Sequence, residues 1–319
     1  MLATVFYFIL NMSIVSCFVI VALLLTRQIR PLPRRVVYPL WALAFFRLVI
    51  PFTPSTGWSL FNYTGGLVKR LITVETISET MSLDTALPPG SDRLLAMNMV
   101  GAVNQYAPIE YKTESLRQVF TIASGVWAAV AAALLLAVFV LYLLSQRELK
   151  TAVRIKGNLY SSDLLQSPIL AGLLRPRIIL PASLDPQSAE CRMILAHENT
   201  HRRRLDNLWR LLALCVTCLH WYNPLVWVML KLFLTDMELA CDETVIKAYT
   251  TEERKVYAST LLDFAKGRQL LLSAAFGRSG IRLRIVNVLN YKRLTLIGVA
   301  ASSLFLLVVA LALITNPQL

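Results

Sequence analysis

Histidine is nearly missing from this chain, with three in 319 residues, and acids are few, 19 Asp and Glu against 32 Lys and Arg. No internal repeat or low-complexity segment is present. The net charge of +13 comes without a zinc-finger or RNP-type motif, so nucleic acid is not an expected direct partner. Cysteine is sparse and odd in number: Cys17, Cys191, Cys215, Cys218 and Cys241. All five fall in apolar or expected cytoplasmic stretches, which argues against a disulfide framework. Cys215 and Cys218 have the C-x-x-C spacing of redox or metal sites. They lie inside the apolar run Leu211 to Leu219, where buried cysteine behaves as a small hydrophobe. The N-terminus lacks the basic start and small-residue cleavage site of a signal peptide.

What the chain has in excess is apolar surface. Hydrophobic residues make up 56% and the mean hydropathy is +0.58, which places it in the membrane class. Residues 2–26, 36–53, 119–144 and 294–314 are apolar runs long enough to cross a core of about 30 Å. The second is interrupted by Arg47, which is either functional or snorkels from the outer end of its helix. Arg27, Arg30, Arg34 and Arg35 fill the first connection without an acid. Acids outnumber bases in 54–117. Arg147, Lys150, Arg154 and Lys156 follow the third run, and Lys292 and Arg293 precede the fourth. The positive-inside rule then puts the N-terminus outside, the 54–117 loop outside and 145–293 in the cytoplasm, facing anionic lipid. The expected organisation is a membrane domain over 1–144, a cytoplasmic domain over 145–293, and a fourth span with a short outside tail over 294–319.

The cytoplasmic block divides further. Ala152 to Leu180 holds short β-like pieces, Ala152 to Ile155 and Arg177 to Leu180, among Pro168, Gly172, Pro176 and Pro181, and a small sheet is expected. Asp185-Pro186 reads as a helix start, with the helix running through His197 and His201 to about Leu219. Asn223-Pro224 ends it, and a second helix from Leu225 carries Glu238, Asp242 and Glu243. The runs Leu211 to Leu219 and Leu225 to Leu234 are too short to span alone, and read as a hairpin at the membrane helices or the interface.

Two of the three histidines sit in His197-Glu198-Asn199-Thr200-His201. Residues four apart lie on one helical face, so both imidazoles can meet one zinc ion. Glu198 then stands beside the metal without coordinating it. It can take a proton from the attacking water and pass it to the leaving amine. A catalytic zinc needs a third protein ligand and an open position. Glu238 is the candidate ligand. Asp242, one turn on, would accept the N–H of a ligating histidine. His220, before Trp221-Tyr222-Asn223-Pro224, reads as a helix-end residue, and Arg202, Arg203 and Arg204 as a solvated or lipid-facing basic edge. Tyr257 is either an oxyanion stabiliser or a packed aromatic.

Four stretches resemble the BlaR/MecR-type integral-membrane zinc peptidases, signal-transducing antirepressors of bacteria. They are Ser167-Pro168-Ile169 through Gly172 to Pro181; Leu195-Ala196-His197-Glu198 through His201 to Arg204 and Asp206; His220 to Trp227; and Glu238 to Glu243. Tyr257-Ala258 and Leu261-Leu262 add a weaker match. The resemblance implies an α-helical multi-pass membrane protein with a gluzincin-like α+β cytoplasmic zinc protease domain, its zinc held at His197, His201 and Glu238. It also implies an outside signal, self-cleavage, and cleavage of a dimeric winged-helix repressor. The family's self-cleaved segment corresponds to Leu271 to Gly277, with the expected cut near Ala275 and Phe276. Asn199-Thr200 replaces a usually more apolar filling. The best-known members carry a penicillin-binding sensor after the last span. This sequence ends at Leu319, so a fused sensor is not expected. The alternatives are a receptor or scaffold that signals by binding, and a housekeeping membrane protease. A homodimer is compatible with any of these.

Overall fold

A run of 26 residues without glycine or proline has little choice but helix once its side chains are apolar. Leu2–Arg27 is that helix, α1. The computed structural model describes residues 2–29, 32–50, 114–265, 280–292 and 296–314, and most of them are helical. α2 is Arg34–Val49 and α3 is Glu114–Glu148. The run expected over 36–53 thus begins two residues early, and 51–53 lie outside the described residues, as does the 54–117 loop up to α3. Leu2–Arg27 and Gln118–Thr151 are long and apolar enough to cross a membrane, with hydropathies of 2.7 and 2.6.

The chain divides into two units. The first comprises Met1–Thr26, Leu40–Ala129 and Ala300–Leu319. In it the ring of Phe6 packs against Phe120 and Trp127 at 6.1 and 5.7 Å. Arg47 is buried, 5% exposed, rather than reaching outward.

The second unit, Arg27–Pro39 with Val130–Val299, carries the site. After α3 a short 3-10 turn leads into four strands: β1 Val153–Lys156, β2 Leu159–Ser162, β3 Ile169–Ala171 and β4 Arg177–Pro181. Their order is β1-β2-β4-β3, with β2 and β4 parallel and the other pairs antiparallel. The two expected pieces are β1 and β4. The other two strands are short and follow no clean alternation. Alternation is clear in β4, which is covered on both faces. Ile178 and Leu180 pack with Cys191 and Ile194, while Ile179 packs with Leu149, Leu165 and Ala171.

The helices that follow are α4 Ala189–Arg204, α5 Asp206–Leu219, α6 Pro224–Val245, α7 Thr251–Ala265, α8 Ile281–Leu289 and α9 Leu296–Ile314. Two expectations need correction. The start at Asp185-Pro186 is instead a turn, in which the Asp185 carboxylate accepts the Gln187 N–H at 3.0 Å. Ser188 is the N-cap, accepting the Cys191 N–H at 3.0 Å. Nor does one helix run to Leu219: Leu205 adopts φ 56°, ψ 38°, and splits it. The break at Asn223-Pro224 falls where expected. The Asn223 side chain caps Leu225 N–H at 2.9 Å and Pro224 occupies the first turn. α4, α5, α6 and α7 pack around one another, with α8 against α6 and α7.

Candidate metal centre

α4 presents His197 and His201 on one face, both buried. Their Nε2 atoms face each other at 3.0 Å. Glu238, from α6, completes a triangle: its Oε2 lies 3.6 Å from each Nε2. For a metal–donor bond of about 2.05 Å, tetrahedral donors stand about 3.3 Å apart. The triangle therefore matches a metal ion held by three protein donors.

The outer nitrogens of the histidines are also engaged. His201 Nδ1 donates to Asp206 Oδ2 at 2.6 Å. The break at Leu205 makes this contact. In an unbroken helix a residue five positions on would point about 140° away. His197 Nδ1 lies 2.9 Å from the Tyr257 hydroxyl and 3.2 Å from Asp242 Oδ1. The Tyr257 O–H donates to the same Asp242 oxygen at 2.7 Å. Both rings are thus turned so that Nε2 is the atom offered inward.

Arginines flank the acids. Arg284, on α8, grips Asp242 with two bonds of 2.7 and 2.8 Å. Its Nη1 also lies 3.3 Å from Glu238 Oε2, and its Nη2 3.3 Å from His197 Nε2. Arg210 donates to Glu238 Oε1 at 3.3 Å. Burial opposes ionisation of both acids. Arg284 and the two histidines more than offset it, so Asp242 and Glu238 sit well below the usual carboxylate range. Burial likewise opposes charge on the imidazoles. Cys241 and Tyr257 with Asp242 outweigh it at His197, and Cys241 and Glu238 with Asp206 at His201. Both histidines sit well above their ordinary value in the metal-free protein.

A competing donor set exists. Ligand atoms of His197, His201 and Cys241 lie within 4.8 Å of one another. The Cys241 thiol, however, meets His197 from behind, 3.5 Å from Nδ1 and 3.4 Å from the His197 carbonyl oxygen. That side of the ring is already taken by Tyr257 and Asp242. The Nε2 face is turned to Glu238 and Arg284.

A cavity of about 510 Å³ opens on this face, lined by Glu198, Arg284, Tyr142, Leu214 and the edge strand from Ser167 to Leu173. Glu198 is half-buried beside His197. Asn207 donates to the Leu170 and Gly172 carbonyl oxygens at 2.9 and 3.0 Å, pinning that edge next to the site.

All four ligand and carboxylate residues singled out in the sequence, His197, His201, Glu238 and Asp242, meet here with Glu198. Tyr257 is a packed aromatic, 1% exposed, that also bonds to the histidine. His220 caps the end of α5, its backbone N–H donating to the Val216 carbonyl oxygen at 3.0 Å. Arg204 is no solvated edge: it lies 4.3 Å over the ring of Tyr38, with Nε 3.3 Å from Asp206. Sequence reasoning missed the roles of Asp206, Arg210, Cys241, Arg284 and Tyr38. Asp206 and Cys241 carried a signal only as parts of stretches that bear the resemblance. The expected cut at Ala275 and Phe276 lies outside the described residues.

Two buried histidines turned inward by carboxylates, a third carboxylate on a separate helix, and a cleft beside them form a donor set that could hold a metal ion in the manner of a metallopeptidase. The chain in fact belongs to the BlaR1 peptidase M56 family, whose model matches residues 7–288. It is 35% identical to the regulatory protein BlaR1 of Bacillus licheniformis over 171 residues, 51% of this chain and 28% of that protein. It is 24% identical to the regulatory protein BlaR1 of Staphylococcus aureus over 308 residues, 88% of this chain and 50% of that one. The methicillin resistance mecR1 protein of Staphylococcus epidermidis matches at 27% over 105 residues, 32% and 18% of the two chains. The chain therefore spans half or less of the length of these relatives.

Proposed function

We propose that this protein is an integral membrane zinc endopeptidase of gluzincin type that works in signal transduction. In this reading it is multi-pass, with its N-terminus outside and the 145–293 domain in the cytoplasm. His197, His201 and Glu238 hold the zinc. The observation that carries the reading is the Nε2–Nε2–Oε2 triangle of 3.0, 3.6 and 3.6 Å beside Glu198 and the cleft.

Zinc, when bound there, supplies Lewis-acid polarisation of the scissile carbonyl and makes water nucleophilic near neutral pH. The protein's own groups do the rest. Glu198 takes one proton from the attacking water as its oxygen adds to the carbonyl carbon. It returns that proton to the amide nitrogen as the C–N bond breaks. Asp206, Asp242 and Tyr257 keep both Nε2 atoms facing the ligand position. Arg210 holds the second oxygen of Glu238. The cavity beside β3 receives an extended peptide.

The substrates that fit this reading are the chain itself, cut near Ala275–Phe276, and a cytoplasmic winged-helix repressor. The carboxylate at 198 favours turnover over a receptor that only binds, because ligation alone has no use for it. Purified in detergent, wild type and Glu198→Gln should each hold one zinc, and only wild type should release a C-terminal fragment. Zinc in neither protein would overturn the metal centre. A fragment from both would overturn Glu198 as the base. N-terminal sequencing should place the new terminus between Leu271 and Arg278, and a terminus elsewhere rejects that site.

A further inference from the structure

Arg27–Pro39, the end of α1, the turn after it and the first turns of α2, belongs to the same unit as the candidate centre, and three of its contacts lie at the centre or behind it. Tyr38 is the nearest. Its hydroxyl donates to Asp206 Oδ1 at 3.0 Å, while Asp206 Oδ2 accepts from His201 Nδ1. The Tyr38 ring is fixed on both faces, stacked on Phe233 at 5.5 Å and covered by Arg204. One carboxylate thus joins a tyrosine of the connection to a histidine of the centre.

The other two points lie on α6. Asp236, fully buried, takes Arg27 Nε on both oxygens at 3.1 and 3.0 Å. Glu243, 3% exposed, accepts the backbone N–H groups of Arg34 and Arg35, each at 3.0 Å. Those donors open α2 and have no partner within their own helix, so Glu243 caps α2 from another element. Seven residues bring Asp236 and Glu243 within about 20° of each other around α6, with Glu238 and Asp242 on the far side. One side of α6 holds the connection and the other holds the centre.

We propose that the connection Arg27–Pro39 is a built-in part of the metal centre: Tyr38 is a positioning residue for His201, acting through Asp206, while Asp236 and Glu243 tie the segment to the back of the helix that bears Glu238. This rests on the metal reading given above. Because this segment closes α1 and opens α2, a shift within it reaches the ligand geometry.

The test measures zinc affinity by chelator competition, with the visible spectrum of the cobalt-substituted protein, on the purified full chain. Wild type, Tyr38→Phe and a Tyr160→Phe control are compared. Tyr38→Phe keeps the ring between Phe233 and Arg204 and loses one hydrogen bond. It should bind zinc at least about tenfold more weakly, in the range of lost outer partners, and shift the cobalt bands. Tyr160→Phe should match wild type, and Glu243→Gln should weaken zinc in the same direction as Tyr38→Phe. Unchanged affinity and superimposable cobalt spectra in Tyr38→Phe overturn the proposal while leaving the metal centre standing. A lower melting temperature of metal-free Tyr38→Phe with unchanged zinc affinity also overturns it, since that is a structural role alone. Wild type that binds no zinc overturns the metal reading and this proposal with it.

Discussion

At the scale of single residues the centre is a set of charges that need one another. Arg284 is the cation between buried Asp242 and half-buried Glu238, so Arg284→Met leaves ionised Asp242 with only His197 and Tyr257 beside it. That substitution should destabilise the protein by about 3–5 kcal/mol, read as a lower thermal midpoint. Arg284→Met combined with Asp242→Asn should recover part of the loss. A single variant as stable as wild type would show that Asp242 carries no charge there. The histidines give a second expectation. Their raised values mean that folding favours the charged imidazoles when metal is absent. Their contribution to metal-free stability is complete below an unfolded value of about 6.5 and is lost as pH rises through the raised values. Ligation needs neutral nitrogens, so zinc binding must release protons. Calorimetry in buffers of different ionisation enthalpy should report proton release that grows as pH falls through those raised values. No release would mean that both rings are neutral before zinc arrives.

The residues legible in the sequence are those whose partners are close along the chain. His197 and His201 are one turn apart, and so are Glu238 and Asp242, so helical spacing alone puts each pair on a face. Arg284 reaches Asp242 across 42 positions and Tyr38 reaches Asp206 across 168. No local pattern marks either. Cys241 falls in a stretch of the resemblance but no spacing rule gives it a role, because its thiol meets His197 only after two helices pack.

At the scale of elements the informative feature is the break at Leu205. No glycine or proline interrupts residues 189–219, so the sequence reads as one helix from α4 into α5. The left-handed turn is enforced by tertiary contacts instead: Asp206 swings under His201 and Arg204 covers Tyr38. Leu205 is 46% exposed, so its side chain contributes little packing there. A non-glycine residue in this conformation costs about 1–2 kcal/mol, and glycine gives back part of that gain through its greater freedom when unfolded. Leu205→Gly should therefore leave stability unchanged or raise it by up to about 1 kcal/mol, with zinc affinity kept. A marked loss of stability would show that the Leu205 side chain supports the turn. The sheet shows the opposite limit of sequence reading. β4 announces itself by β-branched residues covered on both faces, whereas β2 and β3, at four and three residues, are too short for alternation to register.

At the scale of the whole molecule, the chain belongs to the BlaR1 peptidase M56 family, and its described residues include two helices long and apolar enough to cross a membrane. The acids of α6 fall on two sides, Asp236 and Glu243 toward the arginines of the first connection, Glu238 and Asp242 toward the centre. A helix with that division carries the contacts to Arg27–Pro39 on one side and the proposed ligand on the other.

The claim on which the rest depends is that one metal ion sits between His197, His201 and Glu238, and not behind the ring at Cys241. X-ray absorption at the zinc edge of the purified chain tests it directly. The expected first shell has two imidazole nitrogens at about 2.0–2.1 Å and oxygen at about 2.0–2.2 Å, and Cys241→Ser should leave it unchanged. A sulfur scatterer at about 2.3 Å that disappears in Cys241→Ser would contradict the assignment and move the ion to the other face of His197.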